Sequence, residues 1–130
     1  MKTKLEDLQT CAIIEAAMEV HTQLGCGFPE APYGEALARE FLERAIPFEA
    51  QVKLSIPYKG SPLRSYFRVD FVCYQDVIVE LKSLTALSGL GEAQVISYLK
   101  ASGYKRGLLL NFGRSSLQLR RFLNGSIASV

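Results

Sequence analysis

Apolar residues first recur at helical spacing. Ile13, Ile14, Ala17, Met18, Val20 and Leu24 form one stripe, which predicts a helix from about Leu8 or Thr10 to Leu24, ended by Gly25. His21 lies on that stripe, seven positions after Ile14 and four after Ala17. Gly25-Cys26-Gly27-Phe28-Pro29 reads as a turn. A second helix is expected over about Glu30 to Ala45, with Tyr33, Leu37, Phe41 and Ala38 inward and Ile46-Pro47 closing it. The period then changes to two. Phe48, Ala50, Val52, Leu54 and Ile56 alternate with Glu49, Gln51, Lys53 and Ser55, a half-buried strand. After a turn at Lys59-Gly60-Ser61-Pro62, two more strands follow, Arg64 to Cys73 and Val77 to Lys82, joined by a tight turn at Tyr74-Gln75-Asp76. A third helix spans about Gly91 to Ser102, stopped by Gly103. Gly107 to Phe112 is nearly continuous in apolar residues, which suits a central strand covered on both faces. A last strand, about Leu117 to Phe122, alternates Leu117 and Leu119 with Gln118 and Arg120, and the tail from Asn124 to Val130 is expected to fray.

A helix between the strands Val77–Lys82 and Gly107–Phe112 makes a crossover, so those strands should run parallel. The expected class is α/β: a three-strand meander plus a parallel crossover strand in one mixed sheet, flanked by helices. At 130 residues the chain suits one domain, 1–130 with a core of about 8–123, able to bury a core without disulfides or structural metal.

Composition narrows the setting more than the chemistry. A net charge of +2 is too small to diagnose nucleic-acid binding and does not oppose it. Cys11, Cys26 and Cys73 are odd in number and form no C-x-x-C pair, which suits reduced thiols and not a disulfide framework. Cys11 and Cys73 have apolar neighbours and are expected in the core. Met1 to Asp7 lacks the apolar run of a signal peptide, and no run is long enough to span a membrane. The expected setting is the cytoplasm, with no membrane partner.

The chemistry concentrates at the end of the third strand. Glu80 and Lys82 are one residue apart and so share a face, while Leu81 points to the opposite layer. A hairpin centred on Gln75 puts Asp70 directly across from Glu80. Two like charges facing each other across a ladder are destabilising, and two half-buried carboxylates are worse because each loses water. A cation between them relieves both costs. The arrangement reads as a metal site with a lysine beside it, provided that no bulge shifts the register. The bland alternative is an amphipathic hairpin with solvated charges.

Asp70, Glu80-Leu81-Lys82, and then Gln94 and Tyr98 on the next helix resemble the PD-(D/E)xK nuclease pattern. The downstream Q-x-x-x-Y resembles the exonuclease domains attached to recombination helicases, and the element order resembles the restriction-endonuclease-like core. More narrowly, Gly27-Phe28-Pro29-Glu30-Ala31-Pro32-Tyr33 resembles the name-giving motif of the small GxxExxY proteins. Ile78-Val79-Glu80-Leu81-Lys82, Glu92-Ala93-Gln94 and Leu110-Asn111-Phe112-Gly113 resemble the same family, and the likeness runs from about Ala12 to Phe122.

The resemblance implies roles. Asp70 and Glu80 would hold Mg2+ or Mn2+, with the Leu81 backbone carbonyl as a further ligand. Lys82 would orient or deprotonate the attacking water, or steady charge on the phosphate. Glu30, expected on the apolar face of its helix, is a candidate ligand or base; the competing reading is an N-terminal acid satisfied by the helix dipole. Gln94 and Tyr98, four apart on one helix face, would hold a nucleic-acid backbone or orient Lys82, or else form a buried hydrogen-bonded pair. Arg68 is expected on the face of Asp70, near Lys82, as a phosphate contact. His21 is a candidate substrate contact, against the commoner satisfied core histidine. Lys100, Lys105, Arg106, Arg114, Arg120 and Arg121 would form a duplex-facing patch or a solvated rim.

The leading expectation is a metal-dependent phosphodiesterase acting on nucleic acid, DNA first. The rival is a catalytically silent binding or adaptor domain on the same fold. A third reading is a partner in a larger repair or defence assembly, and a homodimer would supply a second site for a second strand.

Overall fold

The computed structural model describes residues 4–124, with side chains from Leu8 onward. The elements are α1 (Lys4–Leu24), α2 (Glu30–Glu43), β1 (Phe48–Tyr58), β2 (Ser61–Cys73), β3 (Val77–Lys82), α3 (Gly89–Ser102), β4 (Arg106–Asn111) and β5 (Gln118–Leu123). The strands form one sheet in the order β1-β2-β3-β4-β5. β1/β2, β2/β3 and β4/β5 are antiparallel and β3/β4 is parallel, as the crossover through α3 requires. The mixed α/β architecture is therefore the expected one. Among the described residues no helix is long and apolar enough to cross a membrane.

The helices divide by face. α1 and α2 cover one side, where Ile13, Val20, Tyr33, Leu37 and Phe41 meet Phe71, Val79, Leu81 and Phe112. α3 covers the other, where Val95 and Leu99 meet Val72, Ile78, Leu109 and Phe122. β4 is buried along its whole length because both layers lie on it. α3 sits close to the sheet at Gly107, where an added Cβ would come within 2.9 Å of the Val95 side chain.

Several sequence expectations shift. α1 begins earlier than expected, at Lys4. α2 stops at Glu43, and Ala45 takes a left-handed turn. α3 starts at Gly89, capped by the Ser88 side chain on the Gly91 N–H. Cys11 is exposed, so only Cys73 is a core thiol, its pKa pushed up to about 12 by burial. Asn124 is tied down: its side-chain amide donates to the carbonyls of Leu99 and Tyr104, 2.8 Å each. The rest of the tail expected to fray, residues 125–130, lies outside the described residues.

One feature of the sheet sets up the site. The odd-numbered residues Phe71 and Cys73 of β2 belong to the α1/α2 core, but odd-numbered Phe67 and Val69 belong to the α3 core. The strand thus turns over at Asp70. Across the ladder Gln51 has φ +54°, a conformation that L-residues seldom adopt and that twists the ribbon locally.

Candidate active site

The tight turn at Tyr74-Gln75-Asp76 sets the register. Tyr74 and Gln75 both have positive φ, which matches the right-handed twist of the flanking strands. The Asp76 N–H closes the turn on the Cys73 carbonyl at 3.0 Å. Asp76 also anchors the turn, bonding the Lys105 N–H at 3.1 Å and the Arg106 side chain at 3.0 Å. From there Cys73 pairs with Val77, Val72 with Ile78 and Phe71 with Val79. The next positions are Asp70 and Glu80, and there the backbone ladder ends.

Side chains take over from the ladder. The Asp70 N–H donates to Glu80 Oε1 at 2.8 Å, and the Leu81 N–H donates to Asp70 Oδ2 at 2.8 Å. The strands part, and the two carboxylates occupy the notch between them. Even-numbered β3 residues turn their backbone to β4, since Lys82 C=O accepts from the Phe112 N–H at 2.9 Å. Leu81 consequently turns its carbonyl, with its N–H, toward Asp70.

Electrostatics make this pair unusual. Glu80 is only 7% exposed. Burial, then the Asp70 charge, pushes its pKa up to about 7, with Glu30 adding to the rise and the Asp70 N–H and Lys82 opposing it. Burial also raises Asp70, against the Leu81 N–H, the Gln51 amide and Lys82. Lys82 thus acts on both acids. Its Nζ lies 3.5 Å from Gln94 Oε1 on α3, so α3 positions the lysine.

The donor set fits a small hard cation. Asp70, Glu80 and the Leu81 carbonyl are all oxygen donors, the chemistry that Mg2+ and Mn2+ prefer. The two acids are held at the high-energy end of their range by burial and mutual repulsion, a state that a cation relieves. Among the described residues no three of His, Cys, Asp and Glu converge into a cage, so solvent would complete the coordination.

A model of the PD-(D/E)XK nuclease superfamily matches residues 7–122. The chain belongs to that superfamily. A comparison with curated proteins finds no match. Among solved structures, one described as "Crystal structure of SSO0001" is similar at 15% identity and a TM-score of 0.47, over 95% of this chain and 79% of that one.

In this PD-(D/E)XK chain the remaining candidates lie around the notch or away from it. Glu30 is exposed; it is the first residue of α2 and not on its buried face, a correction to the expectation. It still borders an open cleft of about 480 Å³ with Glu35, Gln51, Asp70 and Leu81. The motif around it has a structural logic. The Tyr33 hydroxyl donates to the Gly25 carbonyl at 2.6 Å and accepts from the Phe28 N–H at 3.3 Å. The buried tyrosine thereby pins the turn that delivers Glu30. Pro32 is tolerated because it falls in the first turn, where no helical N–H bond is lost.

Gln94 and Tyr98 do not bond to each other. Gln94 faces Lys82, and Tyr98 stacks flat on Phe67 at 3.9 Å and 8°. Burial, then the charges of Glu80 and Asp70, raises the Tyr98 pKa, so its hydroxyl lies within their field. Arg68 is turned to the Gln51 carbonyl (3.4 Å) and the Tyr66 ring instead of Lys82. His21 packs on Phe112 and donates from Nε2 to the Arg114 carbonyl at 2.8 Å.

The six late basic residues do not form one patch. Arg106 is 6% exposed and paired with Asp76. It sits opposite Val77, at the other end of β3 from Lys82. Arg120 pairs with Glu92 at 3.6 Å.

Sequence reasoning missed two supports. Gln51 sends its amide to Asp70 Oδ1 at 3.5 Å. Buried Asn111 accepts from the Leu84 and Gly113 N–H groups at 2.9 and 3.1 Å, and donates to the Leu84 carbonyl and to Gln118. It thereby holds the loop that leaves Lys82. At Gly113 a Cβ would come within 2.3 Å of the Leu84 carbonyl oxygen, so this contact excludes any side chain. The sequence signal was the phrase Leu110-Asn111-Phe112-Gly113, to which the resemblance gave no role, and an asparagine closing an apolar run.

Proposed function

We propose that this protein is a metal-dependent nuclease of the GxxExxY type that hydrolyses phosphodiester bonds in nucleic acid, DNA in the first instance. The observation that carries the reading is the exchange of side-chain hydrogen bonds between Asp70 and Glu80 at the end of the β2/β3 ladder, with Lys82 alongside. It supports an acid pair poised for an oxygen-seeking cation. When bound, Mg2+ or Mn2+ supplies Lewis-acid polarisation of a phosphoryl oxygen and makes water acidic enough to be a nucleophile at neutral pH.

The chain's own groups do the rest. Asp70, Glu80 and the Leu81 carbonyl hold the cation in the notch. Lys82 places a positive charge where negative charge grows on the phosphate, or orients the attacking water. Gln94 fixes the Lys82 side chain. The Tyr98 hydroxyl donates toward the substrate backbone at the mouth of the notch. Glu30, across the cleft, takes a proton or holds a water. His21 and Arg68 reach substrate only as it extends beyond the notch. The chain works in the cytoplasm on this reading, alone, as a homodimer or within a repair or defence assembly.

A second reading is favoured by one observation. Each carboxylate has a backbone N–H partner within the fold itself, which suits a silent binding or adaptor domain. Incubation with labelled single- and double-stranded DNA and RNA, with Mn2+, Mg2+ or chelator, decides between them. The nuclease reading expects cleavage that chelator stops. No cleavage of any substrate with either metal would leave the adaptor.

A further inference from the structure

The outer half of the β1–β2 ribbon carries charges that the fold leaves unanswered. Beyond Phe71 the register gives β2 no partner except β1. Between Glu49 and Asp70 the chain holds Lys53, Lys59, Arg64 and Arg68 and no Asp or Glu. Lys53 and Arg68 are register partners, so two cations stand directly opposite each other across an antiparallel ladder, which is destabilising. Neither joins an ion pair among the described residues. Both lie instead over the Tyr66 ring, Lys53 Nζ at 4.2 Å and the Arg68 guanidinium at 5.7 Å. All three residues are exposed.

The opposite face of the same segment is already used. Phe67 stacks on Tyr98, and Val52 and Leu54 pack into the α3 core. The charged face is therefore the one left to solvent. It also leads to the candidate site. Tyr66 and Arg68 share one side of β2 and lie about 7 Å apart at strand rise, and Asp70, where the strand turns over, follows two residues on. Arg68 touches Gln51, and Gln51 touches Asp70. An acid at position 53 or 68 would remove the repulsion within the fold; the chain instead keeps both cations and an aromatic ring.

We propose that Lys53, Arg68 and Tyr66 form a docking platform for the phosphodiester backbone of a nucleic acid, which runs along β2 toward Asp70. The two cations neutralise adjacent phosphates, so the like-charge pair is answered only in the complex. The platform rests on the nuclease reading for its occupant, but its test does not depend on cleavage.

The test is fluorescence anisotropy with labelled single-stranded and duplex DNA and RNA, with Ca2+ in place of Mg2+ or Mn2+, over a range of salt. The wild type should bind at least one of these, with log K falling linearly against log salt. Lys53→Gln/Arg68→Gln should bind at least tenfold more weakly at low salt. Its salt slope should be shallower by about 1.4–1.8, the loss of two phosphate contacts. Lys53→Glu turns the repelling pair into an attracting one, so it should melt no lower than wild type and still bind at least as weakly as the double variant. Wild-type affinity and slope in both variants would overturn the platform. A wild type that binds nothing also overturns it; cleavage by that protein would leave the nuclease reading standing, and no cleavage would remove both.

Discussion

Asp70 and Glu80 face each other where β2 and β3 part, and each carboxylate accepts an N–H from the other's strand, both at 2.8 Å. The pair continues the ladder by one step with side chains in place of carbonyls. This keeps a buried and a half-buried acid satisfied, and it leaves their mutual repulsion uncancelled. The behaviour expected of the site follows from that tension.

A cation that binds the assembled acids and not the unfolded chain stabilises the fold, by about 2.7 kcal/mol at a hundredfold excess over Kd. Millimolar Mn2+ should raise the Tm of the wild type. Asp70→Asn can still accept the Leu81 N–H, so it should fold, yet it should lose most of the rise. A full metal shift in this variant would move the metal elsewhere.

The pH dependence has a definite sign. Unfolded, Glu80 loses its proton near its ordinary value of 4.5; folded, it holds the proton to about 7. Between these values the native state binds the extra proton, so stability falls as pH rises through the window. The loss attributable to Glu80 is on the order of 3 kcal/mol. In chelator, urea midpoints should drop between pH 5 and pH 8, and Glu80→Gln should flatten the drop. Mn2+ should stabilise more at the higher pH, where the acids are free of protons. A midpoint that rises steadily over this range in both proteins would refute the assignment.

Lys82 should matter to turnover more than to the cation. Lys82→Ala should retain the Mn2+-induced Tm shift and lose cleavage by ~10²-fold or more, the scale of one lost charge contact in a transition state. Single-turnover rates on a labelled duplex, set beside melting curves, separate the two effects.

Tyr98 tests whether α3 serves substrate or core. Its hydroxyl makes no hydrogen bond among the described residues, while its ring stacks on Phe67. Tyr98→Phe keeps the stack, so its denaturant midpoint should stay within about 1 kcal/mol of wild type, and turnover or affinity should fall. Phe67→Ala removes the stack of a half-buried ring and should destabilise by ~1–3 kcal/mol. A large midpoint loss in Tyr98→Phe with full activity per folded molecule would assign the hydroxyl to structure.

The sequence by itself determined the sheet, the direction of its strands and the pairing of Asp70 with Glu80. These follow from local rules. Period-two alternation marks the strands, a helical crossover forces β3 and β4 parallel, and the tight turn after Cys73 fixes which residues oppose each other. What lay beyond was set by contacts between residues distant in sequence. Glu30 shares helical spacing with Tyr33 and Leu37, yet it is exposed because α2 begins there, at the edge of a cleft and not over the core. Arg106 belongs by sequence to a basic run, and the turn at Asp76 claims it. Cys11 has apolar neighbours but falls on the outer side of α1. Gln94 and Tyr98 share a helix face but meet different partners, Lys82 and Phe67, because the ribbon turns over at Asp70. Alternation predicts which side of a strand a residue takes only while the strand keeps its twist. At Gln51 and Asp70 the twist changes, and only the packing of α2 on one face and α3 on the other decides where those side chains go.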